Sequence, residues 1–194
     1  MPEPPDLTHH TAQLNRIKQH WVSAGRPPVH LLHGFTETWY GRRKQVPVLA
    51  ERFTVIAPDL RGCGDTDKPA AGYDKRTMAN DVVALLDRLG HERSALVGHD
   101  RGYRVGTRFA KDHRERVDGA VAMDNIPPCH RRDVRRASGP DGLLVLHVPR
   151  RVRGKGIARD VRGVCIPQCG RLCQEERSDV VNRELLGFLT GCNG

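Results

Sequence analysis

Four short apolar runs, each stopped by Gly, Pro or Asp within two residues, constrain the fold more than any other feature of the chain. They are Val29–Leu32, Phe53–Ala57, Ser94–Val97 and Val117–Met123. Between the middle two, Met78, Val82, Leu85, Leu86 and Leu89 recur at helical spacing. Thr77 is the expected N-cap of that helix and Gly90 its stop. Arg101 to Lys111 can form a second helix. Continuous apolar runs, rather than alternating ones, belong to strands buried on both faces. The expected class is therefore α/β, with a mostly parallel sheet and helices on both sides. Gln13 to Trp21 gives only a weak signal for an opening strand or hairpin.

A length of 194 residues suits one domain with a sizeable core. Hydrophobic content of 38% and charged content of 28% exclude wholesale disorder. No apolar stretch reaches the roughly 18–20 residues that span a bilayer, so no membrane partner is expected. The segment Met1 to Leu7 lacks a basic run followed by an apolar one, so no secretory signal is expected. Six cysteines without such a signal suit free thiols in a reducing, cytoplasmic setting better than a disulfide scaffold.

The chain changes character after Pro128. Residues 129–194 hold 13 of the 32 Lys+Arg, 12 of them Arg, against only 7 of the 23 Asp+Glu, and five of the six Cys. Most of the net charge of +9 therefore sits there. Two segments are expected, 1–128 as a core and 129–194 as a basic, irregular tail. Within the tail, Gly142–Val148 can be a strand and Val180–Leu189 a helix, while Arg150 to Arg162 has no periodicity. So abrupt a switch to Arg, Gly and Cys is what an out-of-frame translation would produce. That hypothesis fails if translating the other two frames beyond residue 128 reveals no further strand–helix pattern.

The chemistry concentrates in Gly98-His99-Asp100-Arg101-Gly102, at the junction of an apolar strand and a helix. A turn this sharp, a nucleophile elbow, needs small neighbours, and it stands its middle residue proud of the sheet with a backbone N–H beside it. A carboxylate at that position cannot usefully attack an amide. It can displace a halide or open an epoxide at an sp3 carbon, leaving an ester for water to cleave. The competing reading is an Asp that merely caps the following helix. His33-Gly34-Phe35, after another apolar run, can supply a second N–H, so Phe35 and Arg101 are the expected oxyanion-hole donors.

With these residues in view, the chain resembles α/β-hydrolases of the epoxide hydrolase and haloalkane or haloacetate dehalogenase branch. The resemblance rests on LLHGFTETWY (Leu31–Tyr40), VIAPDLRGCGDTDKP (Val55–Pro69), ALVGHDRGYRVGTRFA (Ala95–Ala110) and RVDGAVAMDNIP (Arg116–Pro127), about half the chain. It implies Asp100 as nucleophile and Asp124 as the acid that orients a catalytic histidine. The run His99 to Arg104 is similar to the fluoroacetate dehalogenase motif, which implies that Arg101 and Arg104 clamp a substrate carboxylate. Asp59 reads as structural. Trp39 is a candidate pocket wall, although packing is favoured for it and for Tyr40. Thr36 stands where epoxide hydrolases usually carry Pro, and Arg42 where an aromatic is more usual.

The resemblance also implies a cap, further strands and a histidine loop, and nothing after Pro128 resembles them. His130 follows Asp124 too closely and His147 lies inside a possible strand, so no histidine stands at the implied position. A small-molecule substrate, a small haloacid first and an epoxide second, is expected, unless the chain is an inactive remnant. No cofactor is implied, because the reaction needs only water. The spacing Cys165-x3-Cys169-x3-Cys173 lacks the paired pattern of zinc sites, so no metal is expected. Arg150 to Arg162 has no interleaved aromatics, so no specific nucleic-acid partner is expected. Oligomeric state is left open.

Overall fold

The structure is a computed structural model that describes residues 7–24, 28–123, 143–148, 162–166 and 168–192. An opening hairpin pairs β1 (Thr8–Leu14) with β2 (Ile17–Ala24) in antiparallel register, Leu14 facing Ile17. β3 (Pro28–Leu32), β4 (Thr54–Pro58), β5 (Ser94–His99) and β6 (Val117–Met123) follow, then β7 (Leu143–Val148) and β8 (Arg162–Ile166). The helices are α1 (Val46–Ala50), α2 (Lys75–Arg88), α3 (Arg101–Asp112), α4 (Cys173–Glu176) and α5 (Ser178–Cys192), with a 3-10 turn at Trp39–Arg42. The described residues form one sheet in the order β1-β2-β4-β3-β5-β6-β7-β8. Its centre, β4-β3-β5-β6, is parallel, and both flanks are antiparallel.

Side-chain alternation divides the core into two layers. Ala95 and Val97 of β5 join Val29, Leu31, Val46 and Leu49 on one face, under α1 and α5. Leu96 points the other way, to Met78, Val82 and Leu86 of α2 and Val105 and Phe109 of α3. Every residue of β5 is buried, as a strand covered on both faces must be. The expected α/β arrangement with helices on both faces is thus present.

The boundaries differ in instructive ways. α2 starts at Lys75, before the expected Thr77, because the Asp74 carboxylate accepts from the Arg76 and Thr77 N–H groups, both at 3.0 Å. Its stop is Gly90, at φ +72°. The hairpin turn uses Asn15 and Arg16, both at positive φ (42° and 65°), without the glycine that usually announces such a turn. In the tail, the strand expected at Gly142–Val148 is present as β7 (Leu143–Val148), and the helix expected at Val180–Leu189 is present but longer, as α5 (Ser178–Cys192). β8 was not expected, because its residues carry no clear pattern. Missing strands would leave the sheet open at β6. Instead β7 pairs antiparallel with β6, Met123 facing Val145. Of the basic run Arg150–Arg162, residues 150–161 lie outside the described residues. No described helix is long and apolar enough to cross a membrane.

Candidate active site

β3 and β5 are parallel neighbours, with Leu32 opposite Gly98. Their C-terminal ends therefore open on the same edge, and the segments that follow, His33–Phe35 and Asp100, meet there. Asp100 adopts φ 42°, ψ −104°, a conformation that L residues avoid. Its N–H donates to the Met123 carbonyl at 3.3 Å, which ties the turn to the end of β6. The two glycines are required by close approach. A β-carbon on Gly98 would lie 2.5 Å from the backbone of Tyr103, and one on Gly102 would lie 2.3 Å from the Leu32 carbonyl oxygen. Asp100 occupies the N-cap of α3, yet its side chain makes no capping hydrogen bond. Capping therefore does not account for an aspartate here.

The Asp100 carboxylate faces the site. Its Oδ2 accepts from the Phe35 N–H at 3.4 Å and pairs with Arg171 Nη2 at 3.0 Å. Phe35 is 57% exposed, and the Arg101 guanidinium lies over its ring, 4.3 Å from the centroid. Arg104, one turn further along α3, is exposed. The structure thus brings Phe35 and Arg101 to the elbow, whereas the guanidinium seen on Asp100 is that of Arg171. Trp39 is buried in the core at 6% exposure, with His9 and Tyr40 against its ring.

Beneath the elbow, Glu37 holds several groups together. Its carboxylate accepts from the Gly34 N–H at 2.7 Å and from Gln174 Nε2 at 2.7 Å, and it meets His99 Nδ1 at 3.2 Å. His99 reaches on through Nε2 to the Arg171 carbonyl at 3.0 Å. Burial pushes the Glu37 carboxyl up, but the hydrogen bond to His99, the Arg42 charge and the Gly34 N–H outweigh it and hold it down to about 2. Arg42, at the position where an aromatic is more usual in the resembled family, is fully buried and donates to the Leu32 carbonyl at 3.2 Å. His33 sits between the Gly34 carbonyl (Nδ1, 2.8 Å) and the Leu60 N–H, which donates to Nε2 at 2.9 Å. Burial pushes its pKa down to about 4. Asp59 accepts from the N–H groups of Trp39 (2.8 Å) and Asp65 (3.0 Å) and bonds His20 Nδ1 (2.8 Å), so it organises the adjoining loop.

Asp124 and His130 lie outside the described residues. His147 lies in β7, opposite Val121 and Arg162. His20, Asp59 and Asp65 bring ligand-type atoms within 4.8 Å of one another. Asp59 there is already occupied by hydrogen bonds, so the group reads as a structural knot. Two residues of the site escaped sequence reasoning. Glu37 stands inside the quoted LLHGFTETWY run, where its offset of three from Gly34 was an available signal. Arg171 had none.

Comparison with known proteins decides the family. The family described as the alpha/beta hydrolase fold matches residues 27–136, more than half of the chain. The chain belongs to the α/β-hydrolase family. This α/β-hydrolase is 49% identical over 123 residues to a soluble epoxide hydrolase of Corynebacterium sp. strain C12, covering 63% of the chain and 43% of that relative. It is 42% identical over 111 residues to a fluoroacetate dehalogenase of Burkholderia sp, covering 55% and 36%. Among solved structures, the ligand-free epoxide hydrolase CorEH superposes with a TM-score of 0.59 at 42% identity, covering 68% of this chain and 50% of that one. A Vigna radiata epoxide hydrolase variant gives 0.62 at 38%, covering 64% and 40%. The chain spans less than half the length of the curated relatives it matches.

Proposed function

We propose that the chain carries the alkylation half of an aspartate-nucleophile hydrolase acting on small molecules. Asp100 is the nucleophile. The observation that carries this reading is its strained, forward-facing carboxylate with the Phe35 N–H on Oδ2 at 3.4 Å. One carboxylate oxygen forms a bond to an sp3 carbon. In an epoxide the carbon–oxygen bond breaks and the ring oxygen takes a proton from water. In a haloacid the carbon–halogen bond breaks and the electron pair leaves with the halide. Either path leaves an ester on Asp100. Water must then attack the ester carbonyl, and the Phe35 and Arg101 N–H groups are assigned to the resulting oxyanion.

Epoxide opening is one reading, supported by the epoxide hydrolases among the relatives. Haloacid hydrolysis is the other, supported by Arg101 and Arg104 following the nucleophile and by the fluoroacetate dehalogenase among them. Asp124, next after Met123, is assigned to orient a histidine, and no described histidine is assigned as base. One turnover is therefore expected, ending in a trapped ester. Incubation with styrene oxide or chloroacetate, followed by peptide mass mapping, tests this. One adduct on Asp100, absent in Asp100→Asn, with no steady release of diol or halide, is the expected result. Labelling that persists in Asp100→Asn defeats the nucleophile, and sustained turnover defeats the stalled ester.

A further inference from the structure

The tail places a cation on the nucleophile, and it does so rigidly. Arg171 is 61% exposed, yet its main chain is fixed, because His99 holds its carbonyl at 3.0 Å. The next residues are anchored to the core. Gln174 Nε2 donates to Glu37 Oε1 at 2.7 Å, and Gln45 Nε2 donates to the Gln174 carbonyl at 2.9 Å. The Glu175 carboxylate takes the Arg43 guanidinium in a two-pronged ion pair, and Lys44 Nζ donates to the Glu175 carbonyl at 2.7 Å. Cys173 is fully buried in the core. Residue 171 is thus held beside the elbow by its neighbours, and its guanidinium reaches Asp100 Oδ2 at 3.0 Å.

We propose that Arg171 is a specificity-determining residue that makes Asp100 discriminate between electrophiles by charge, favouring those that carry a carboxylate next to the reacting carbon. This rests on Asp100 being the nucleophile. An α-haloacid brings its carboxylate within a few ångströms of the attacking oxygen, since reacting atoms approach to about 3–3.5 Å. Two carboxylates at that separation repel strongly in a partly desolvated site. A guanidinium has five donors in a fixed fork, so one edge can stay on Asp100 while another takes the substrate carboxylate. The attacking oxygen then forms its bond to carbon, the carbon–halogen bond breaks, and halide leaves with the electron pair. A neutral epoxide gains nothing from the cation and must compete with it for Oδ2. One side chain therefore pushes the two reactions in opposite directions.

The test measures the rate of Asp100 labelling by chloroacetate and by styrene oxide in the full chain and in Arg171→Gln, with Arg171→Lys as the charge-retaining control. Haloacid labelling is expected to fall and epoxide labelling to rise, lowering their ratio by roughly tenfold, the size of one modest charge interaction. The lysine variant should recover part of the ratio. A second readout needs no chemistry: 19F NMR of fluoroacetate with Asp100→Asn, where the site has lost the negative charge that repels the anion and should bind it more tightly, and with Asp100→Asn/Arg171→Gln, where binding should be lost. A labelling ratio within about twofold of the parent, or fluoroacetate binding indifferent to residue 171, overturns the role of Arg171. Fluoroacetate binding through Arg171 without any labelling of Asp100 defeats the nucleophile instead.

Discussion

A β-carbon on Gly102 would stand 2.3 Å from the carbonyl oxygen of Leu32, inside any tolerable contact. The obstacle is backbone at the end of β3, where Leu32 pairs with Gly98 of β5 while Pro28 to His30 pair with β4, so the strand cannot retreat. The first turn of α3 can therefore approach the sheet only with glycine at 102. This approach sets Asp100 at the sheet edge with Phe35 opposite. Gly102→Ala should cost about 2–3 kcal/mol, as overpacking against fixed neighbours does. Urea denaturation would show it as a lower midpoint with an unchanged slope. An alanine variant as stable as the parent would mean that α3 sits further from β3 than the structure places it.

Asp100 stores strain at φ 42°, which glycine relieves and asparagine does not. Its ion pair with Arg171 is partly exposed and offsets little of that strain. Asp100→Gly should therefore raise stability by about 1 kcal/mol while removing all labelling by chloroacetate or styrene oxide. Asp100→Asn should remove labelling without the gain in stability. Paired thermal melts of the two variants check this. A glycine variant no more stable than the asparagine one would place residue 100 in relaxed backbone.

His33 is held as a neutral ring. The Leu60 N–H points at Nε2, so that nitrogen must accept, and Nδ1–H donates to the Gly34 carbonyl. Burial depresses its folded pKa to about 4, below the ordinary value of 6.5. The unfolded chain therefore takes up a proton first as pH falls. Stability from this residue is complete above pH 6.5 and is lost as pH falls through 4. His30, pushed down to about 3 by burial and the nearby His91, adds loss in the same direction. Denaturation midpoints at pH 7.5, 6, 5 and 4 should fall steadily, and 15N NMR at pH 6 should still show His33 with its proton on Nδ1. A His33 that titrates near 6.5 would mean that the Leu60 contact is not maintained.

The elements legible in the sequence are those whose local chemistry leaves one solution. Ser94–Val97 followed by two glycines around an aspartate admits little but a strand, a sharp turn and a helix, and that is what forms. The Asn15-Arg16 turn was faint because it uses positive φ without glycine. The start of α2 is ambiguous in the sequence because Thr77 and Asp74 are both competent caps. Only the fold shows that Asp74 collects the free N–H groups while Thr77 donates its own hydroxyl to the same carboxylate. Arg171 was invisible for a different reason. Its place at Asp100 depends on contacts made by residues 174 and 175 with Glu37, Gln45 and Arg43, more than a hundred positions earlier, and no local pattern encodes such docking.

That docking has an energetic counterpart in α5. Val181, Leu185 and Leu189 recur at helical spacing and join Val97, Val121 and Met123 in one core layer. Where α5 crosses β6, a β-carbon on Gly119 would lie 2.6 Å from Cys192 Sγ, so helix and strand are in direct contact there. The tail helix thus covers the face of the sheet that would otherwise expose β5 and β6. Leu185 is fully buried, and Leu185→Ala should destabilise the whole chain by about 2–4 kcal/mol. Because the layer is shared, tail and core should unfold together, with tryptophan fluorescence from Trp21 and Trp39 tracking the helical circular dichroism. Loss of helix signal with the fluorescence transition unmoved would mean that α5 unfolds as a separate unit.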